Sequence, residues 1–201
     1  MKNNITYIGN ILSQHGITPT TIEILGPRLE REYHIIYASE HQNKIIRLLQ
    51  MIYVTIRYSK SSKVILIDTY SSQAFWYMTI IALLSQLCNI PYIPILHGGQ
   101  LPKRLELNPK ICRLIFNKSF INIAPSGYLQ YHFNKAGYIS KLIPNFIDIR
   151  NYSFQKRLII SPSLLWVRSF HATYNPEMAI KVNAALVPDN PDIQMCMVGP
   201  D

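Results

Sequence analysis

The sequence predicts an α/β protein: a mostly parallel sheet with helices on both of its faces. Three observations carry that expectation. Short apolar, largely β-branched runs alternate with longer stretches of helical periodicity along most of the 201 residues. Several of the short runs are apolar on both faces, as strands buried between two helical layers must be. The composition, 48% hydrophobic with 15% charged residues, supplies a core of ordinary size and excludes a disordered chain.

The strand candidates are 5–9 (ITYIG), 33–39 (YHIIYAS), 64–68 (VILID), 91–96 (PYIPIL), 120–124 (FINIA) and 141–144 (KLIP). The first helix is expected to start after Thr18, a good N-cap, with Pro19 at the first helical position. Pro27 should kink or stop it near Gly26. Residues 41–58 read as a helix whose inward face is Ile45, Leu48, Leu49, Ile52 and Ile56, with Lys44, Arg47 and Arg57 off that face. Residues 71–87 are apolar nearly all round, as in a buried helix. Ser126 is expected to cap a helix running to Ala136.

After Pro144 the rhythm pauses at NFIDIRNYSFQKR and restarts as a strand (158–167), a helix (Asn175 to Leu186) and a strand (193–198). Residues 1–150 therefore read as one α/β domain. Residues 157–201 read as the start of a second, incomplete one, because a single βαβ unit cannot cover its own sheet faces.

Charge is unevenly placed. Of the net +9, residues 41–147 hold 12 Lys/Arg against 2 Asp/Glu, a local +10. A solvated surface, an anionic membrane, an anionic substrate and nucleic acid are the readings this allows. Nucleic acid is set aside because no motif of a known reader occurs. Cys88, Cys112 and Cys196 stand far apart, which suggests neither a zinc site nor a disulfide framework and favours a reducing cytoplasm. The segment MKNNITYIGN lacks the apolar core of a signal peptide, and the uncharged run from Thr69 to Pro102 is interrupted by Gln73, Gln86, Asn89, Pro91 and Pro94, so it is not expected to span a bilayer.

The residues that could carry chemistry sit at strand ends. The loop Gly9–Gly16 (GNILSQHG) puts backbone N–H groups near a helix N-terminus, suited to an anion or to a plain strand-to-helix turn. His97 ends a strand at the carboxyl edge where open α/β sheets bind ligands, and Gly98 and Gly99 allow close approach to the backbone. Its place beside two glycines suggests a side chain that meets substrate without supporting the core. Asp68 ends a strand too, and helix capping and substrate contact are both open to it. Arg168 ends the first strand after residue 157, where its fork of donors suits a diphosphate or a surface ion pair. No GxGxxG, GxxxxGK[ST], DxD or HExxH pattern is present, so no metal site is indicated.

Taken in order, YIGNILSQHG, LHGGQLP, IAPSGYL, IPNFIDI, LLWVRSFHATYNP and MCMVGPD resemble a retaining glycosyltransferase of family 4. The resemblance implies two facing Rossmann-like domains (the GT-B architecture), the second incomplete here. The N-terminal domain would take a glycan or lipid-linked acceptor and the C-terminal domain a nucleotide-diphosphate sugar. The reaction would need no essential metal and would serve cell-surface polysaccharide biosynthesis in the cytoplasm or at the inner face of an anionic membrane. By the same resemblance Gly16 would lie beside the donor diphosphate and His97 near the reacting carbon, with Gly98 and Gly99 alongside. Asn145 would belong to the crossing between domains, and Arg168 would neutralise the leaving diphosphate.

Two features depart from the family. Tyr174-Asn175-Pro176 stands where a lysine-glycine pair is usual, and the paired donor-binding glutamates would lie beyond Asp201. The 201-residue chain alone is therefore expected to be inactive. The competing readings are a sugar-nucleotide epimerase of the same architecture, which needs acid/base carboxylates of its own, and a non-catalytic α/β binding module.

Overall fold

The computed structural model describes residues 2–15, 19–38, 40–147, 149–156 and 161–200, and the chain divides into two compact units, Met1–Ile147 and Asp148–Asp201. The first unit is built on a six-stranded parallel sheet. Its strands are β1 (Asn4–Ile8), β2 (His34–Ala38), β3 (Ser62–Tyr70), β4 (Tyr92–His97), β5 (Asn122–Ala124) and β6 (Ser140–Leu142), in the order β2-β1-β3-β4-β5-β6. The helices are α1 (Thr21–Leu29), α2 (Lys44–Arg57), α3 (Ala74–Leu87), α4 (Leu101–Leu107), α5 (Pro109–Phe116) and α6 (Gly127–Lys135). This is the Rossmann-like α/β class expected from the alternation.

Side chains alternate across the sheet, so each face has its own core. On one face Ile5, Tyr7, Leu66 and Ile95 pack with Ile22 of α1. On the other, Ile8, Ile65, Ile67 and Leu96 pack with Met51 and Val54 of α2, Phe75, Met78 and Ile81 of α3, Ile115 of α5 and Phe133 of α6. One helix thus covers the first face and the remaining layer covers the second.

Three expectations need correction. α1 is capped by Thr20, not Thr18, which lies outside the described residues; the Thr20 N–H donates to the Glu23 carboxylate at 2.8 Å. The helix also continues through Pro27 to Leu29. Pro27 removes one N–H, but the Arg28 guanidinium donates to the Ile24 carbonyl at 2.8 Å and the Glu30 N–H to the Gly26 carbonyl, so the last turn still closes. The third correction is α2, which is rotated from the expected face: its buried residues are Arg47, Met51, Val54 and Thr55, Leu48 and Ile52 are half-buried with Ile52 against the core, and Ile45, Leu49 and Ile56 face solvent. Apolar periodicity located the helix and placed its inward face only partly.

Two helices have no counterpart in the expected pattern. After β4 the basic stretch 101–116 folds as α4 and α5, separated at Asn108-Pro109, where proline starts the second helix. α6 starts as expected, the Leu129 N–H donating to the Ser126 hydroxyl. Among the described residues no helix is long and apolar enough to cross a membrane.

The second unit contains β7 (Ser163–Val167), α7 (Pro176–Leu186) and β8 (Gln194–Val198), with β7 and β8 paired in parallel. Asn175 adopts φ 49° and accepts the Met178 N–H, capping α7, and Pro176 opens the helix. That gives the Asn-Pro pair a structural task where the resemblance led one to look for Lys-Gly. None of this unit's described residues is buried, and Leu165 and Val167 are more than half exposed.

Candidate functional site

Parallel pairing aligns the carboxyl ends of β1, β3 and β4 side by side, and each delivers a polar side chain to the α1 face of the sheet. The Tyr7 hydroxyl donates to Asp68 Oδ1 at 3.1 Å. His97 Nε2 meets the same oxygen at 3.0 Å. With Asp68 as a carboxylate, which can only accept, Nε2 carries the hydrogen of this bond, and in the neutral ring the lone pair then sits on Nδ1. The His97 ring stacks on Tyr70, with centroids 4.7 Å apart.

The cluster is closed off from water. Asp68 is buried, His97 is 7% exposed, and Asp68 Oδ2 is buried with no hydrogen-bond partner among the described residues. Burial, reinforced by the Asp68 charge and its hydrogen bond, pushes the Tyr7 phenol far above the usual tyrosine range; burial and Asp68 push Tyr70 the same way. Gly9 fits because it is glycine: a Cβ there would come within 2.6 Å of Asp68 Oδ2 and 3.1 Å of Ile22. His97 is thus built into the core rather than standing clear of it. Asp68 caps no helix; it ties β1 to β4.

Around this cluster lies open space. Gly98 has φ +82°, a conformation that favours glycine, and a Cβ at Gly98 or Gly99 would meet nothing within 4 Å. Beside them Ser71, Gln100, Lys103, Arg104 and Leu107 line a hollow of about 270 Å³. Arg104 is anchored there, its Nε–H donating to the Ser71 carbonyl at 2.7 Å. The loop after β1 is pinned by Glu23, whose carboxylate accepts the N–H groups of Ser13 and Thr20. Burial raises the Glu23 pKa, but those hydrogen bonds outweigh it, and the net shift is downward.

The structure therefore brings His97, Gly98 and Gly99 together with Tyr7, Gly9, Asp68 and Tyr70. Gly16 lies outside the described residues. Asn145 is exposed near the end of the first unit, next to Phe146, whose ring lies 3.5 Å from the Arg28 guanidinium carbon. Arg168 belongs to the second unit. It is exposed at the end of β7, its guanidinium carbon is 4.9 Å from the Tyr174 ring centre, and its N–H donates to the Val198 carbonyl. Gly199 lets the two strand ends approach, since a Cβ there would collide with the Arg168 carbonyl. The Tyr7–Asp68 partnership was missed in the sequence. The available signal was that all three polar residues stand at strand ends, but only the strand order makes them neighbours.

The chain is similar in fold to the solved structure of S. aureus MnaA with UDP, with a TM-score of 0.56 at 14% sequence identity. The match covers 97% of this chain and 61% of that one, so the chain spans about three-fifths of the length of the protein it matches. At that identity the likeness is one of fold. No protein-family model matches the sequence, and no curated protein matches it.

Proposed function

We propose that this chain acts on a nucleotide-diphosphate sugar, transferring the sugar with retention to a glycan or lipid-linked acceptor. The observation that carries the reading is His97 at the carboxyl edge of a central strand, fixed through Nε2 by Asp68, with the open Gly98-Gly99 backbone beside it. Such a ring is preorganised: its lone-pair nitrogen is held in one direction before substrate arrives. In this reading His97 meets the sugar near the reacting carbon, and Gly98 and Gly99 leave room for it. Gly16 and Asn145 contribute to donor binding and to the domain crossing. Arg168 supplies positive charge to the leaving diphosphate in place of a metal. The free thiols of Cys88, Cys112 and Cys196 support a reducing, cytoplasmic setting. Burial raises Cys112 to about 11, which makes it inert.

A second reading is favoured by Asp68. A sugar-nucleotide epimerase of this architecture needs an acid/base carboxylate, and the buried Asp68 beside His97 is a candidate that the sequence offered only as a helix cap or a substrate contact.

Titrating UDP-sugar into the 201-residue chain while following backbone amide signals tests the shared premise. Shifts at Gly98, Gly99 and Arg168 are expected, and a silent titration at all three removes the nucleotide-sugar reading. Product analysis in deuterated water, on a chain extended by a complete second domain, separates the two chemistries. Transfer yields sugar linked to acceptor. Epimerisation through proton abstraction yields an isomeric nucleotide sugar carrying solvent deuterium.

A further inference from the structure

We propose that the hollow at the ends of β3 and β4 holds an acidic group of the acceptor, a phosphate monoester or a carboxylate. The inference rests on the transferase reading, in which the first unit takes the acceptor, and adds the acceptor's charge to it. Ser71 directly follows Tyr70, whose ring stacks on His97, and Gln100 directly follows Gly98-Gly99. Lys103, Arg104 and Leu107 complete the lining, and all five residues belong to the first unit. At about 270 Å³ the space falls below the roughly 300–1,000 Å³ of a site that encloses a whole drug-sized ligand. It suits one charged group and not a nucleotide sugar.

Charge and burial select an anion. Arg104 is half-buried and held by neutral partners. Its Nε–H donates to the Ser71 carbonyl at 2.7 Å and Nη1 to Asn108 Oδ1 at 3.3 Å, and its guanidinium carbon lies 5.3 Å from the Phe75 ring centre. Among the described residues neither Arg104 nor Lys103 pairs with a carboxylate. Residues 41–147 offer two, of which Asp68 is buried against His97 and Glu106 is exposed. A partly desolvated guanidinium without a counter-charge is costly, and the Phe75 face offsets only part of that cost. The two hydrogen bonds fix the fork in one orientation, while Nη2 makes none among the described residues. A fork held in this way is preorganised for a phosphate or carboxylate oxygen. Lys103, exposed on the same lining, supplies a second cation, and Gln100 an amide donor. A neutral sugar has no use for either charge.

The test follows backbone amide and arginine Nε–H signals of the 201-residue chain while glucose 6-phosphate, glucuronate, glucose and UDP are titrated in turn. Glucose 6-phosphate, glucuronate or both should shift Ser71, Gln100 and the Arg104 Nε–H, and glucose should not. The tighter of the two anions tells a phosphorylated acceptor from a uronate-bearing one. Arg104→Gln should weaken that binding at least about tenfold, the loss of one hydrogen bond to a charged group. Lys103→Gln should weaken it about two- to fivefold, as for an exposed charge contact, with an unchanged thermal melt. Silence of all three positions toward both anions, or equal shifts with glucose, would overturn the proposal. So would wild-type affinity in folded Arg104→Gln or, should that variant not fold, in Lys103→Gln. UDP shifting these positions more strongly than either anion would give the hollow to the donor and overturn it as well. Failure of the transferase reading looks different: UDP-sugar would leave Gly98, Gly99 and Arg168 silent while the anions still bind. That result would overturn the assignment to an acceptor and leave the anion site standing.

Discussion

His97 holds two strands' worth of structure in one ring. It ends β4 and bonds to the carboxylate of β3 that also receives the Tyr7 hydroxyl from β1. His97→Ala should therefore do two things. In a chain that carries a second, donor-binding domain, turnover should fall at least roughly tenfold, the low end for a lost acid–base or polar catalytic contact. Stability should also fall, by about 1–3 kcal/mol, because a buried carboxylate oxygen loses a partner. Turnover and thermal unfolding measured on the same preparation check both, and a stable variant with normal turnover would remove His97 from the site. Tyr7 gives a pH test. Its folded pKa is raised, so the protonated phenol contributes stability that is fully present below the unfolded tyrosine value, about 10. That contribution is lost as pH rises through the folded value. Denaturant midpoints from neutral to strongly alkaline pH should decline above about pH 10, and Tyr7→Phe should flatten part of the decline. Identical profiles would mean that burial and Asp68 do not raise the Tyr7 phenol. His97 and Asp68 were each visible in the sequence as polar residues at strand ends. Their partnership was not, because it depends on β3 and β4 being neighbours.

Helix α1 sets two local rules against each other. Glycine inside a helix ordinarily costs about 1 kcal/mol relative to alanine, so Gly26→Ala would be a stabilising change on propensity alone. Here a Cβ would collide with the Tyr37 hydroxyl and lie 2.6 Å from its Cε1. The ring is held in turn by its hydrogen bond to Glu30 at 2.8 Å. Overpacking wins: Gly26→Ala should destabilise by about 1–3 kcal/mol, and Gly26→Ala combined with Tyr37→Phe should recover part of that loss. Chemical denaturation of the two variants decides the sign; a stabilised Gly26→Ala would show that Tyr37 moves aside freely. Elements differ in how legible they were. The strands were read from β-branched apolar runs, which parallel burial on both faces makes unambiguous. α2 was located by its period, yet its inward face was placed only partly, because Arg47 and Thr55 bury against the core while Ile45, Leu49 and Ile56 stay exposed. α4 and α5 were missed because their lysines and arginines mask a short helical period, which Asn108-Pro109 then cuts in two.

Among the described residues, burial is confined to the first unit. Met1–Ile147 contains both hydrophobic cores, one on each face of the six-stranded sheet. In Asp148–Asp201 the described residues form a two-stranded ladder and one helix, and none of them is buried. A two-stranded sheet needs further strands or helices on its faces before it is stable by itself. Leu164, Trp166 and Met195 line an apolar hollow of about 330 Å³ against α7, so apolar surface that would normally be covered remains accessible to water. Amide exchange reports the free energy of local opening, which runs from near zero in thinly packed segments up to the global stability in core strands. Amides of β1, β3 and β4 should therefore exchange at least roughly a hundredfold more slowly than those of β7 and β8. Hydrogen–deuterium exchange followed by mass spectrometry resolves the two groups of peptides. If β7 and β8 were protected as strongly as β3 in a chain shown to be monomeric, the second unit would have to be covered by packing that its exposed Leu165 and Val167 do not supply.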